Sequence, residues 1–151
     1  MPLVKTSKTS LGRRKRRLAK SAYIDLAAFR FALRQFLQFS DVAAGSVGIT
    51  TQQYQALLAI KATAEEELNV KELSQSMLLA QNGAVQLVDR LEAQGLVARR
   101  NSPTDRRSVL IALTAAGAEM LQTLAVQHIA ELIRFEPLLA ESLKRLRGIE
   151  R

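Results

Sequence analysis

Three observations predict a mainly α-helical fold with one small β-hairpin. Residues 87–114 read as the back half of an amphipathic helix, a stop at Gly95, a short strand, a basic loop and a second strand. Ahead of them stand two shorter helix patterns, each opened by a capping sequence. Apolar helix patterns also fill both ends of the chain, and a single domain of 151 residues does not need all of them for its own core.

The first helix is predicted over residues 18–39, a stretch without glycine or proline. Its positions Leu18, Ala22, Leu26, Phe29, Leu33, Phe36 and Leu37 recur at three- and four-residue steps, the helical period. Tyr23, Ile24, Phe31 and Phe39 widen the apolar face beyond one stripe, as in a helix buried between partners. Residues 41–48, with two glycines, are predicted to be a loop. Thr50-Thr51-Gln52-Gln53 fits a capping box, and Tyr54, Leu57, Leu58 and Ile60 give the inner face of a helix to about residue 62. Glu65-Glu66-Glu67 reads as an exposed turn that faces away from any phosphate.

A second capping box, Asn69-Val70-Lys71-Glu72, opens a short helix with Leu73, Met77 and Leu78 inward. Residues 79–81 are a tight connection. Asn82 is the expected cap of a helix from Gly83 to about Gln94, with Val85, Leu87, Val88 and Leu91 inward. Strands are expected at 96–100 and 109–113, around a loop holding Pro103, Asp105, Arg106 and Arg107. Thr114 caps a helix from Ala115 to about Arg134, with Leu121, Leu124, Ile129 and Leu132 on one side. His128, on the same helix, is expected to be packed and hydrogen-bonded. Pro137 suits the first position of a last short helix carrying Leu138, Leu139, Leu143 and Leu146.

Composition narrows the function classes. The chain has no cysteine and one histidine, so disulfides, thiolate chemistry and histidine-rich metal sites are excluded. No nucleophile–base pair, metal-ligand cluster or glycine-rich phosphate loop stands out, so neither an enzyme nor a cofactor is expected. No apolar run approaches the roughly 18 residues that span a bilayer, and no apolar segment follows the basic start as in a secretory signal. A cytoplasmic protein without membrane contact is the expectation. The net charge is +8, and the first 20 residues carry all of the excess: Lys5, Lys8, Arg13, Arg14, Lys15, Arg16, Arg17 and Lys20, with no acid. Such an arm suits a polyanion, although a solvated terminus is the simpler use of it.

Two short helices joined by a tight turn form a helix-turn-helix, whose second helix enters the major groove of DNA. Off the apolar face of that helix lie Asn82, Gly83, Gln86, Asp89 and Arg90. Asn and Gln pair with adenine, and Arg with guanine or phosphate. Adjacent arginines at a hairpin tip suit the negative potential of a minor groove. Asp105 is expected as an internal acceptor that orients Arg107 or a backbone amide. The surplus apolar helix surface is most simply a homodimer interface.

The string Leu87-Val-Asp-Arg-Leu-Glu-Ala-Gln-Gly-Leu-Val97, followed by Arg100, Asp105-Arg106-Arg107 and Val109-Leu-Ile-Ala-Leu-Thr-Ala-Ala-Gly117, resembles the MarR family of winged helix-turn-helix regulators. The resemblance covers about residues 18–147. It implies an order α1-α2-α3-α4-β-β-α5-α6, with dimerisation helices at 18–48 and 114–151 and a DNA-binding lobe at 49–113; ahead of them, residues 1–17 read from their own composition as a flexible basic arm. The implied function is that of a homodimeric repressor of a palindromic operator in double-stranded DNA, released by a small aromatic effector. Carried over by position, Gln81, Asn82, Gly83, Gln86 and Arg90 belong to the recognition helix, Arg106 and Arg107 to the wing, and Lys71 lies near a phosphate. Asp105 and Asp89 then orient the wing or Arg90. Family members usually have Ser, Thr or His where this chain has Gln81-Asn82-Gly83, so the operator does not transfer. Gly83 also costs about 1 kcal/mol of helix propensity relative to Ala. Phe31 and Tyr54 are candidates to line the effector crevice, with core packing the simpler role for both. The competing class is a nucleic-acid-binding protein without sequence preference, led by the basic arm. Its weakness is the low aromatic content, 5% with no tryptophan, for a base-stacking surface.

Overall fold

The computed structural model describes residues 17–149; apart from Arg17, the arm predicted at 1–17 lies outside them. The elements run α1 (Lys20–Ser46), α2 (Thr51–Lys61), β1 (Glu67–Leu68), α3 (Val70–Met77), α4 (Gln81–Ala93), β2 (Val97–Asn101), β3 (Val109–Leu113) and α5 (Ala115–Arg147). The three strands form an antiparallel sheet in the order β1-β3-β2. Leu57, Ile60, Leu73, Leu87, Val88, Leu91, Ile111 and Leu124 are fully buried where α2, α3, α4, the sheet and the first half of α5 meet.

Local chemistry accounts for most element starts. Both capping boxes form as expected. The Thr50 side chain accepts from the Gln53 amide at 3.1 Å while the Gln53 side chain accepts from the Thr50 amide at 2.9 Å. Asn69 and Glu72 exchange the same pair of bonds, each at 2.9 Å. Thr114 caps α5, accepting from the Gly117 amide at 3.1 Å. Gly48 and Gly95, both at positive φ, end α1 and α4. In each case the next amide, Ile49 or Leu96, returns to a carbonyl five residues back, Ala44 or Leu91, which satisfies an otherwise orphaned group.

Several expectations need correction. The first helix does not stop near Phe39 but continues to Ser46. Ser40, Ala43 and Ala44 are buried, so the inward stripe carries on through the predicted loop and only Gly48 ends it. The last two predicted helices are one: α5 runs through Pro137. A proline inside a helix costs about 3 kcal/mol, but α1 grips α5 on both sides of it. Phe135 packs edge-on against Phe36 at 6.4 Å, and Arg145 pairs with Asp25 at 3.0 Å. Glu67 is not part of an exposed turn but pairs with Ala112 as the first residue of β1. Ala80, not Asn82, is the N-cap of α4, and it makes no side-chain cap. Leu78, expected inward, closes α3 at φ 54 and is 92% exposed. Leu58, Val85, Ile129 and Leu132 are also exposed rather than inward. On α4 the small Ala84 takes the buried place expected of Val85.

Candidate nucleic-acid interface

Helix α4 turns Ala84, Leu87, Val88 and Leu91 into the core. That burial leaves Gln81, Asn82, Val85, Gln86, Asp89 and Arg90 exposed on the opposite side. Gly83 is half-buried at the first turn, and its amide donates to Asn82 Oδ1 at 2.9 Å. The carboxyl end of α4 is tied to the start of α2, where Gln53 Nε2 donates to Gln94 Oε1 at 2.8 Å. Lys71 is exposed on the first turn of α3.

The hairpin of β2 and β3 pairs from Val97↔Leu113 to Asn101↔Val109. At its tip, the Ser102 amide donates to the Ser108 carbonyl at 2.9 Å and the Ser108 amide to the Asp105 carbonyl at 3.0 Å. Asp105 Oδ1 accepts from the Arg107 amide at 3.0 Å, so the carboxylate orders the backbone rather than a guanidinium. Arg106 and Arg107 are exposed at this tip. Among the described residues, neither they nor Arg90 and Lys71 make a side-chain ion pair.

Arg99 and Arg100 behave differently. Successive strand residues point to opposite faces, and each arginine finds acids on its own side. Arg99 lies over α4, with Nη2 on Asp89 at 2.5 Å and Nη1 on Glu92 at 3.0 Å. The Arg99 amide also donates to Glu92 Oε2 at 3.2 Å. Partial burial works against the Arg99 charge, but its hydrogen bonds to Asp89 and Glu92 outweigh that and raise its pKa above the usual arginine value. Arg100 reaches past β3 to Glu67 on β1. Asp89 is therefore bonded to the hairpin, not to Arg90. Arg99, Glu92, Arg100 and Glu67 are the positioning residues that sequence reasoning missed. The available signal was the pair Asp89 and Glu92, one helical turn apart and just ahead of two arginines in a strand.

Phe31 and Tyr54 part company. Tyr54 is buried and stacks on His128 with ring centroids 4.2 Å apart, and burial pushes its phenol pKa up. His128 is itself buried, with Nδ1 at 2.7 Å from the Leu124 carbonyl and Nε2 at 2.8 Å from Ser40 Oγ. A carbonyl only accepts, so Nδ1 donates to Leu124, and the Ser40 hydroxyl meets the other ring nitrogen. Phe31, by contrast, is 55% exposed on α1. A shallow space of about 480 Å³ does lie between α2 and α5, lined by Leu58, Lys61, Ala118, Leu121 and Ala125 among others; neither aromatic lines it. Among the described residues, no group of three His, Asp or Glu side chains is placed to hold a metal ion. No described helix is long and apolar enough to cross a membrane.

A helix-turn-helix whose second helix is strapped to a basic-tipped hairpin defines a winged-helix protein. Solved structures share the fold: AbsC, a MarR family transcriptional regulator from Streptomyces coelicolor, superposes with a TM-score of 0.73 at 24% identity, covering 88% of this chain and 91% of its own. Sco3205 from the same organism, solved in complex with DNA, gives 0.70 at 24% identity over 92% of this chain and 89% of its own. The family model described as "MarR family" matches residues 47–108. The organic hydroperoxide resistance transcriptional regulator of Bacillus subtilis is 36% identical over 102 residues, 68% of this chain and 67% of its own length. The transcriptional repressor MprA of Escherichia coli is 32% identical over 82 residues, 54% of this chain and 47% of its own. The chain thus spans about two thirds of the first relative and about half of the second. It belongs to the MarR family of transcriptional regulators, and these relatives are regulators rather than enzymes.

Proposed function

We propose that the protein is a homodimeric, sequence-specific DNA-binding repressor whose two α4 helices enter successive major grooves of a palindromic operator. The observation that carries this is the division of labour among the hairpin arginines. Arg99 and Arg100 hold the hairpin to α4 and β1, while Arg106 and Arg107 project unpaired, among the described residues, at its tip. In this reading the tip enters a minor groove, where negative potential attracts guanidinium groups. Gln81, Asn82 and Gln86 meet base edges, Gly83 lets the backbone approach, and Arg90 and Lys71 hold phosphates. Asp89 and Asp105 orient the wing.

Dimerisation is supported by apolar side chains left in solvent: Tyr23, Ile24, Phe31 and Leu37 on α1, and Ile129, Ile133 and Leu138 on α5. So many large apolar side chains left open on two neighbouring helices suit an interaction surface. A second copy laid along 18–48 and 114–151 covers it. The effector we propose is a small aromatic anion, with the apolar space beside Lys61, between α2 and α5, as its place. The hydroperoxide response named for the Bacillus subtilis relative is not carried over through a thiol, because this sequence has no cysteine.

Selection of duplexes from a random library with the purified protein tests the reading. An inverted repeat with half-sites centred about 10 bp apart, one helical turn, is the expected product. Equal affinity for selected and scrambled duplexes would instead identify a protein that binds nucleic acid without reading it.

A further inference from the structure

Val85 lies at the border of the exposed face of α4, 38% accessible. Gln81 and Asp89 lie four residues to either side of it, Asn82 three before and Gln86 one after, and all four are exposed. Residues three and four apart are surface neighbours on a helix, so the valine has Gln81, Asn82 and Asp89 on its open side and the buried Val88 on its core side. Valine is a poor choice for a solvated helix position on propensity, and the buried side of α4 is already filled by Ala84, Leu87, Val88 and Leu91. The open part of its side chain, 38% of the residue's surface, is left to solvent.

The only apolar group on the base edges of a major groove is the 5-methyl of thymine. On the reading of α4 as the recognition helix, and resting on it, we infer that Val85 is a specificity residue that packs on a thymine methyl in each half-site. The side chains around it agree. Asn and Gln amides pair with adenine, so Gln81, Asn82 and Gln86 favour the same A·T pairs that supply the methyl. Asp89, the neighbour able to accept from cytosine, is held by Arg99 at 2.5 Å. The inferred ligand is therefore duplex DNA with A·T pairs at the middle of each half-site, a thymine methyl facing Val85.

Uracil in place of thymine removes that methyl and nothing else. The experiment takes the duplex selected by the full-length protein, replaces each thymine singly by deoxyuridine, and measures binding by wild type and by Val85→Ala. One thymine per half-site is expected to cost wild type about four-fold in affinity on replacement, the equivalent of one buried methylene. The same change should cost Val85→Ala less than two-fold, with melting curves of the two proteins alike. A selected duplex in which no thymine shows a penalty dependent on residue 85 overturns the inference and leaves the function standing. Failure of the selection to yield any preferred sequence overturns both.

Discussion

Leu96 presses its backbone against the first turn of α5, and Gly117 is what allows it. A Cβ added at Gly117 would stand 2.0 Å from the Leu96 carbonyl oxygen, and Thr114 anchors the same junction through a 2.6 Å bond to the Gly95 carbonyl. Backbone on both sides leaves no flexible atom to yield. Gly117→Ala should therefore destabilise the protein by about 3 kcal/mol, at the upper end of overpacking costs, read as a large drop in melting temperature. A change within 0.5 kcal/mol would show that the wing and α5 are not wedged together. Leu78 is the converse case. It occupies a left-handed position at φ 54 that costs a non-glycine residue about 1–2 kcal/mol, and it gains no burial in return. Spacing placed Leu78 and Val85 inward because both fall on the helical period. Local backbone chirality at one, and an alanine filling the core place at the other, are what pattern alone does not carry.

Among the elements, the hairpin and α4 act as one body because Arg99 clamps Asp89 and Glu92. The clamp is only partly shielded, with the Arg99 side chain 27% exposed, so its direct worth to stability is of order 1 kcal/mol. Arg99→Ala is expected to lower the melting temperature by a few degrees but to weaken DNA binding more, since the tip arginines lose their bearing on the recognition helix. Arg106→Ala with Arg107→Ala should do the reverse. Stability should be unchanged, affinity should fall on every duplex, and the log–log salt slope should shrink by about 0.9 for each lost phosphate contact. Equal salt slopes in the double variant and wild type would remove the tip from the DNA contacts.

Much of this level was readable in sequence: both capping boxes, the Gly95 stop, the two hairpin strands to within a residue and the Asp105 turn all follow from local residue chemistry. Four features were not. Strand β1 is two residues long, too short to show a period, and it exists because Glu67 and Leu68 pair with Ala112 and Ile111. The end of α1 and the continuity of α5 through Pro137 both depend on the packing of one helix along the other, which outweighs a glycine at 45 and a proline at 137. The Arg99–Asp89–Glu92 clamp joins residues from two elements. Each acid and base was visible, but their meeting depends on the hairpin folding back over α4.

For the whole molecule, the proposed dimer lays a second copy along α1 and α5. Ile133 is 68% exposed on α5, so Ile133→Glu should leave the fold of the monomer intact. It should shift the mass measured by light scattering from dimer to monomer, and operator affinity should fall with it. A variant that remains dimeric would place the interface elsewhere.

Two copies of α4 and the hairpin should read one duplex together, and hydroxyl-radical footprinting on a selected operator measures whether they do. Two protected patches related by two-fold symmetry are expected, about one helical turn apart. Flanking minor-groove protection should be present with wild type and lost with Arg106→Ala/Arg107→Ala. A single patch, or flanking protection that survives the double substitution, would contradict it.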